Sequence, residues 1–125
     1  MKKKILIIDD DKMILKLADY VLQDEYEVKC TTSGIDGLDL IQEFAPDLIL
    51  LDIEMPMMNG FEVMSLIKQN KSWNNIPILM FTSSADRDTV LRAKRLGVEN
   101  YIVKPFLPEK LLDSVEKTLL RNEHK

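Results

Sequence analysis

The stretch DLILLDIEMPMMNG, residues 47–60, decides the fold. Its LILL core is a continuous apolar run without polar alternation, the pattern of a strand buried on both faces. The run ends on an acid, Asp52, and the segment behind it carries the proline and glycine that stop a strand. Two runs of the same kind lie on either side, ILIID at residues 5–9 and IPILMFT at 76–82. Shorter, more polar strands are expected at 26–31, near a sheet edge, and at 100–103.

Helical spacing fills the gaps. Ile14, Leu17, Ala18, Val21 and Leu22 recur three and four residues apart, and Ser33 can cap a helix to about Phe44 with Ile35, Leu38 and Ile41 on its apolar stripe. Pro46 ends that helix. Phe61, Met64 and Ile67 mark a third helix over 60–70, a fourth spans 86–96 with Gly97 as its C-cap, and Leu111, Leu112, Val115 and Leu119 mark a fifth after Pro108. Five strands alternating with five helices define an α/β class: a doubly wound, flavodoxin-like (βα)5 architecture with a five-stranded parallel sheet in the order 2-1-3-4-5. At 125 residues the chain fits one domain, residues 1–125.

In such a sheet ligands bind beyond the carboxyl ends of the strands, where strands 1 and 3 diverge. That rim collects Asp9, Asp10 and Asp11 from strand 1, Asp52 from strand 3, Thr82 from strand 4 and Lys104 from strand 5. Carboxylates crowded together repel unless positive charge intervenes. A hard cation relieves the repulsion, and an oxygen-only donor set suits Mg2+. One cysteine, Cys30, and one histidine, His124, exclude a zinc site. A nucleophilic carboxylate, a metal, an ammonium and a hydroxyl donor around one anion are the parts that phosphoryl transfer needs.

IDDD at 8–11, LLDIEMPMMNG at 50–60, FTSSA at 81–85 and YIVKPF at 101–106 stand in order at those strand ends. On these motifs the chain resembles the receiver domain of two-component response regulators, especially the stand-alone chemotaxis type, from Lys4 to about Leu120. The resemblance implies that Asp52 is the phosphoacceptor. Mg2+ (or Mn2+) would be held by Asp10 and Asp52, by the main-chain carbonyl of Glu54, and by Asp9 largely through water. Thr82 and Lys104 would contact the phosphoryl oxygens, Tyr101 would turn inward as the readout, and Lys104–Pro105 would be a cis peptide.

The expected donor is a sensor histidine kinase or a histidine phosphotransfer protein of a phosphorelay. The expected output is control of a downstream protein, or of a homodimer, through the face of helix 4, strand 5 and helix 5. The domain would catalyse formation and hydrolysis of its own aspartyl phosphate without being an enzyme in the usual sense. Glu54 and Ser84 are expected to set the lifetime of that phosphate.

Simpler readings stand beside these. Asp11 is expected to cap the first helix rather than ligate metal, Cys30 to be a buried structural thiol, and Trp73 to be a partly packed loop residue. Met55, Met57 and Met58 suit either packing or adaptable partner contacts. His124 is assigned no role. A net charge of −4 offers no general attraction to nucleic acid or an anionic membrane, and no run approaches the about 18 apolar residues of a membrane span. The paucity of cysteine fits a cytoplasmic protein. The start at Met1 favours a natural N-terminus, and no DNA-binding or catalytic output segment is recognised. Three rivals are weighed: an inert interaction module of the same fold, an aspartyl-phosphate phosphatase with its nucleophile on strand 1, and a flavin-binding flavodoxin-like protein.

Overall fold

A computed structural model describes residues 1–123; the histidine at 124 lies outside the described residues. Its elements are β1(Lys4–Ile8), α1(Lys12–Leu22), β2(Glu27–Thr31), α2(Gly34–Phe44), β3(Leu48–Asp52), α3(Gly60–Gln69), β4(Ile78–Thr82), α4(Arg87–Leu96), β5(Asn100–Val103) and α5(Pro108–Glu123). The strands form one parallel sheet, ordered β2-β1-β3-β4-β5, as expected from the alternation of strands and helices. No helix among the described residues is long and apolar enough to cross a membrane.

The continuous apolar runs have a direct structural meaning. Successive side chains of a strand point to opposite faces, so each run splits between two cores. Leu6, Ile8, Ile49, Leu51, Ile78 and Met80 face one, packed under α2, α3 and α4 by Ile41, Met64, Ile67 and Ala93. Ile5, Ile7, Leu48, Leu50, Leu79 and Phe81 face the other, closed by Leu15, Ala18, Leu111 and Val115 of α1 and α5.

Helix starts are set by side-chain oxygens that accept otherwise unpaired backbone N–H groups. Asp11 accepts from Met13, Ser33 from Asp36 and Asp86 from Thr89, and Asn59 forms a reciprocal capping box with Glu62. Two helices end on left-handed residues, α2 at Ala45 (φ 52°) and α4 at Gly97 (φ 101°).

Four expectations need correction. Leu17 of α1 is 41% exposed, and Leu15 takes the buried place beside Ala18 and Leu22. Ile35 is 55% exposed because α2 approaches the sheet through glycine. A Cβ built on Gly37 would lie 2.5 Å from Ile8 Cδ1, so this turn packs by backbone proximity rather than by an apolar stripe. Cys30 is exposed, not buried: β2 is an outermost strand with no fully buried residue. Strand β4 also starts two residues later than expected, at Ile78. Trp73 is partly buried in the α3–β4 connection, against the α2–α3–α4 core.

Candidate functional site

The register of the sheet assembles the rim. Ile8 pairs with Leu51, which sets Asp9 level with Asp52; Asp52 pairs with Phe81, and Thr82 with Val103, one residue before Lys104. Carboxylate oxygens of Asp9, Asp10 and Asp52 lie within 4.8 Å of one another. Asp9 is fully buried, Asp52 is 3% exposed, and Asp10 opens to solvent.

Lys104 reaches over this group. Its ammonium lies 2.8 Å from Asp9 Oδ2 and 3.1 Å from Asp52 Oδ1. The peptide that follows it, Lys104–Pro105, is cis. The ring of Phe81, stacked on Phe106 at 5.4 Å, forms an apolar floor 5.9 Å from the ammonium. Asp11 N–H donates to Asp9 Oδ1 at 2.9 Å, and Glu54 N–H reaches Asp52 Oδ1 at 3.4 Å. Asp9 Oδ2 is fully enclosed and has an ionic neighbour in Lys104 but no hydrogen bond of acceptable geometry. An enclosed carboxylate oxygen in that condition is costly without further positive charge.

The charges answer to this crowding. Burial, and then the negative charge of Asp9, push the Asp52 carboxyl from 3.8 up to about 7, against the pull of Lys104. Burial alone would lower the Lys104 ammonium. The 2.8 Å contact with Asp9 and the charges of Asp52 and Asp9 outweigh it, and the net shift is upward.

Thr82 and Tyr101 are engaged with other groups. The Thr82 side chain is buried, and its hydroxyl donates to the Ser84 carbonyl at 2.6 Å while accepting from Ser84 N–H at 3.1 Å. Tyr101 is half-buried against the α2–α3–α4 core. Met55 is buried in that core, whereas Met57 is 95% exposed with φ 69°. Sequence reasoning missed the serines' roles: Ser83 Oγ donates to Glu54 at 2.8 Å, and Ser84 Oγ donates to Asp86 at 3.0 Å. No spacing rule announces contacts between two loops, although FTSSAD places both hydroxyls beside Thr82.

A buried carboxylate beside two others, held under an ammonium at the strand ends of a doubly wound sheet, defines a phosphoacceptor class of protein. The family model for the response regulator receiver domain matches residues 5–116, and the chain belongs to that family, the receiver module of two-component signalling. It is 33% identical over 124 residues to the DNA-binding response regulator MtrA of Mycolicibacterium smegmatis, covering 98% of this chain and 53% of that protein. It thus spans about half the length of the curated relatives it first matches. The polar-differentiation response regulator DivK of Brucella ovis is 33% identical, over 95% of this chain and 98% of its own. The chemotaxis response regulator CheY4 of Vibrio cholerae superposes with a TM-score of 0.89 at 32% identity, over 94% and 99% of the two chains. Receiver domains are phosphoacceptors.

Proposed function

We propose that residues 1–125 form a single receiver domain in which Asp52 is the residue phosphorylated. The observation that carries this is the pairing of a nearly enclosed Asp52 with Asp9, Asp10 and the Lys104 ammonium. The Asp52 carboxylate attacks the phosphorus of a phosphohistidine or a small acyl phosphate. The new O–P bond forms as the bond to the donor breaks, and the donor leaves with that electron pair. Lys104 steadies the negative charge of the phosphoryl oxygens, and Thr82 supplies one hydrogen bond once its proton is released from Ser84.

Three adjacent carboxylates and an enclosed, under-satisfied Asp9 oxygen suit a hard divalent cation, Mg2+ or Mn2+. Asp10 and Asp52 would ligate it directly, the Glu54 carbonyl would add a main-chain oxygen, and Asp9 would act mostly through water. Bound there, the cation supplies charge neutralisation for the attacking carboxylate and the transferred group.

The phosphoryl donor is a sensor histidine kinase or histidine phosphotransfer protein in the cytoplasm. The output is a shift in the face of α4, β5 and α5, with Tyr101 as readout, toward a protein target or a second protomer. The same residues support slow hydrolysis of the aspartyl phosphate, at a rate set by Glu54 and Ser84.

The test is intact mass and site mapping after incubation with Mg2+ and acetyl phosphate, with a phosphorylated histidine protein as a second donor. The expected result is one base-labile phosphoryl group on Asp52, lost in Asp52→Asn and reduced by EDTA. An adduct on Asp9 would establish the phosphatase-type alternative. No adduct from either donor would leave an inert module of the same fold.

A further inference from the structure

Thr82 owns one hydroxyl proton, and that proton is committed to the Ser84 carbonyl at 2.6 Å. An anion on Asp52 can receive a hydrogen bond from Thr82 only if this contact breaks. What holds residues 83 and 84 in place therefore holds the hydroxyl away from the anion.

Two neighbouring serines provide that hold, each through a carboxylate on a different element. On one side, the ladder pairs Asp52 with Phe81, and continuing the register two residues sets Glu54 opposite Ser83. There Ser83 Oγ donates to Glu54 Oε1 at 2.8 Å, which prolongs the β3–β4 pairing beyond the sheet by a side-chain bond. On the other side, Ser84 Oγ donates to Asp86 Oδ2 at 3.0 Å. Asp86 is itself pinned as the N-cap of α4, accepting from Thr89 N–H at 3.0 Å and Thr89 Oγ1 at 2.8 Å. The loop is thus tied at one end to the segment that follows Asp52 and at the other to the first turn of α4.

We infer that Ser83 and Ser84 form a two-point clamp, anchored on Glu54 and Asp86, that keeps Thr82 bonded to Ser84 and opposes its recruitment by an anion on Asp52. They are positioning residues: their side chains bond to Glu54 and Asp86 and act through Thr82. The clamp rests on the reading of Asp52 as the phosphoacceptor and adds to it the residues that bias the switch toward its resting arrangement. Both tethers are solvent-exposed. A single exposed hydrogen bond shifts a two-state equilibrium by about threefold.

The test uses the intact chain with Ser83→Ala, Ser84→Ala and the double variant, and beryllofluoride with Mg2+ as the phosphoryl mimic. Each single variant should bind beryllofluoride about threefold more tightly and the double variant about tenfold. Affinity for Mg2+ alone should stay within about twofold. Gain of affinity on loss of a contact is the signature that mere structural damage does not produce. Unchanged or weaker beryllofluoride binding overturns the clamp, as does a gain matched by an equal gain for Mg2+ alone.

A second measurement needs no anion. The γ-methyl carbon shift and three-bond couplings of Thr82 should report one χ1 rotamer in the parent and averaging in the double variant. One unchanged rotamer overturns the clamp whether or not Asp52 accepts the mimic. Failure of the parent protein to bind beryllofluoride counts instead against Asp52 as phosphoacceptor, and the Thr82 couplings still decide the clamp.

Discussion

Replacing Asp52 with asparagine should make the metal-free protein more stable at neutral and alkaline pH, although it removes the central group of the site. Burial and the neighbouring Asp9 raise the Asp52 carboxyl from 3.8 to about 7. Between those two values the folded chain retains a proton that the unfolded chain has released. Stability contributed by that carboxyl therefore falls as pH rises from about 4 to about 7, and the loss levels off above. A rise of about three units sets a ceiling of about 4 kcal/mol for the cost of the ionised group at pH 8. Local water and side-chain relaxation reduce this, so about 2 kcal/mol is expected. Asparagine has nearly the same shape, keeps an acceptor for Lys104, and offers an amide donor toward the acids beside it.

The assay is urea denaturation of both proteins in EDTA at pH 4.5 and pH 8. The gap should be about 2 kcal/mol, or about 5–10 °C in melting temperature, at pH 8 and about half of that at pH 4.5, where the unfolded carboxyl has already largely ionised. An asparagine variant less stable at pH 8, or a gap equal at both pH values, would refute the assignment of strain to the ionised Asp52.

Lys104→Met removes the ammonium that touches both Asp9 and Asp52; a loss of about 2–4 kcal/mol at pH 8 in the same urea assay is expected, shrinking toward pH 4.5. Gly60→Ala would set a Cβ 2.3 Å from the Asp52 carbonyl oxygen and 2.7 Å from Ile53 Cα, both unyielding backbone. It should cost at least about 2 kcal/mol and slow Asp52 phosphorylation, whereas wild-type stability would show that the loop relaxes freely. Cys30 is exposed, yet desolvation and the charge of Asp19 raise its thiol to about 11. Its alkylation, followed by mass spectrometry, should be roughly a hundredfold slower at pH 7 than that of a free cysteine and accelerate up to pH 11. Rapid labelling at pH 7 would contradict that environment.

Much of this molecule was legible before folding because its chemistry follows the periodicity of its chain. Short unbroken apolar runs such as LILL at 48–51, bounded by proline and glycine, read as strands covered on both sides, and right-handed crossovers then carry their acidic ends to one rim. Asp9, Asp10, Asp52 and Lys104 converge there for that reason. The caps Asp11, Ser33 and Gly97 were readable because capping depends on neighbours within one turn.

What periodicity cannot convey is how closely two elements approach. Ile35 sits on a proper helical stripe, yet Gly37 brings α2 against Ile8 of the sheet and Gly34 brings it against Val63 of α3, so the contact passes to the glycines. Cys30 belongs to a strand, but the outermost one, so the residue is exposed rather than enclosed in the core. Likewise a sequence can present Thr82 beside two serines without saying where one hydroxyl proton goes. The sequence by itself determined the fold and the cast of residues at the rim, since both follow from local pattern and chain topology. Only the tertiary structure decided the pairing of Lys104 with Asp9, the commitment of Thr82 to Ser84, and the bonds from Ser83 and Ser84 to Glu54 and Asp86. The Lys104–Asp9 and Ser83–Glu54 contacts join loops far apart in the chain, and those of Ser84 follow the course of one irregular loop; neither leaves a mark in the hydrophobic pattern.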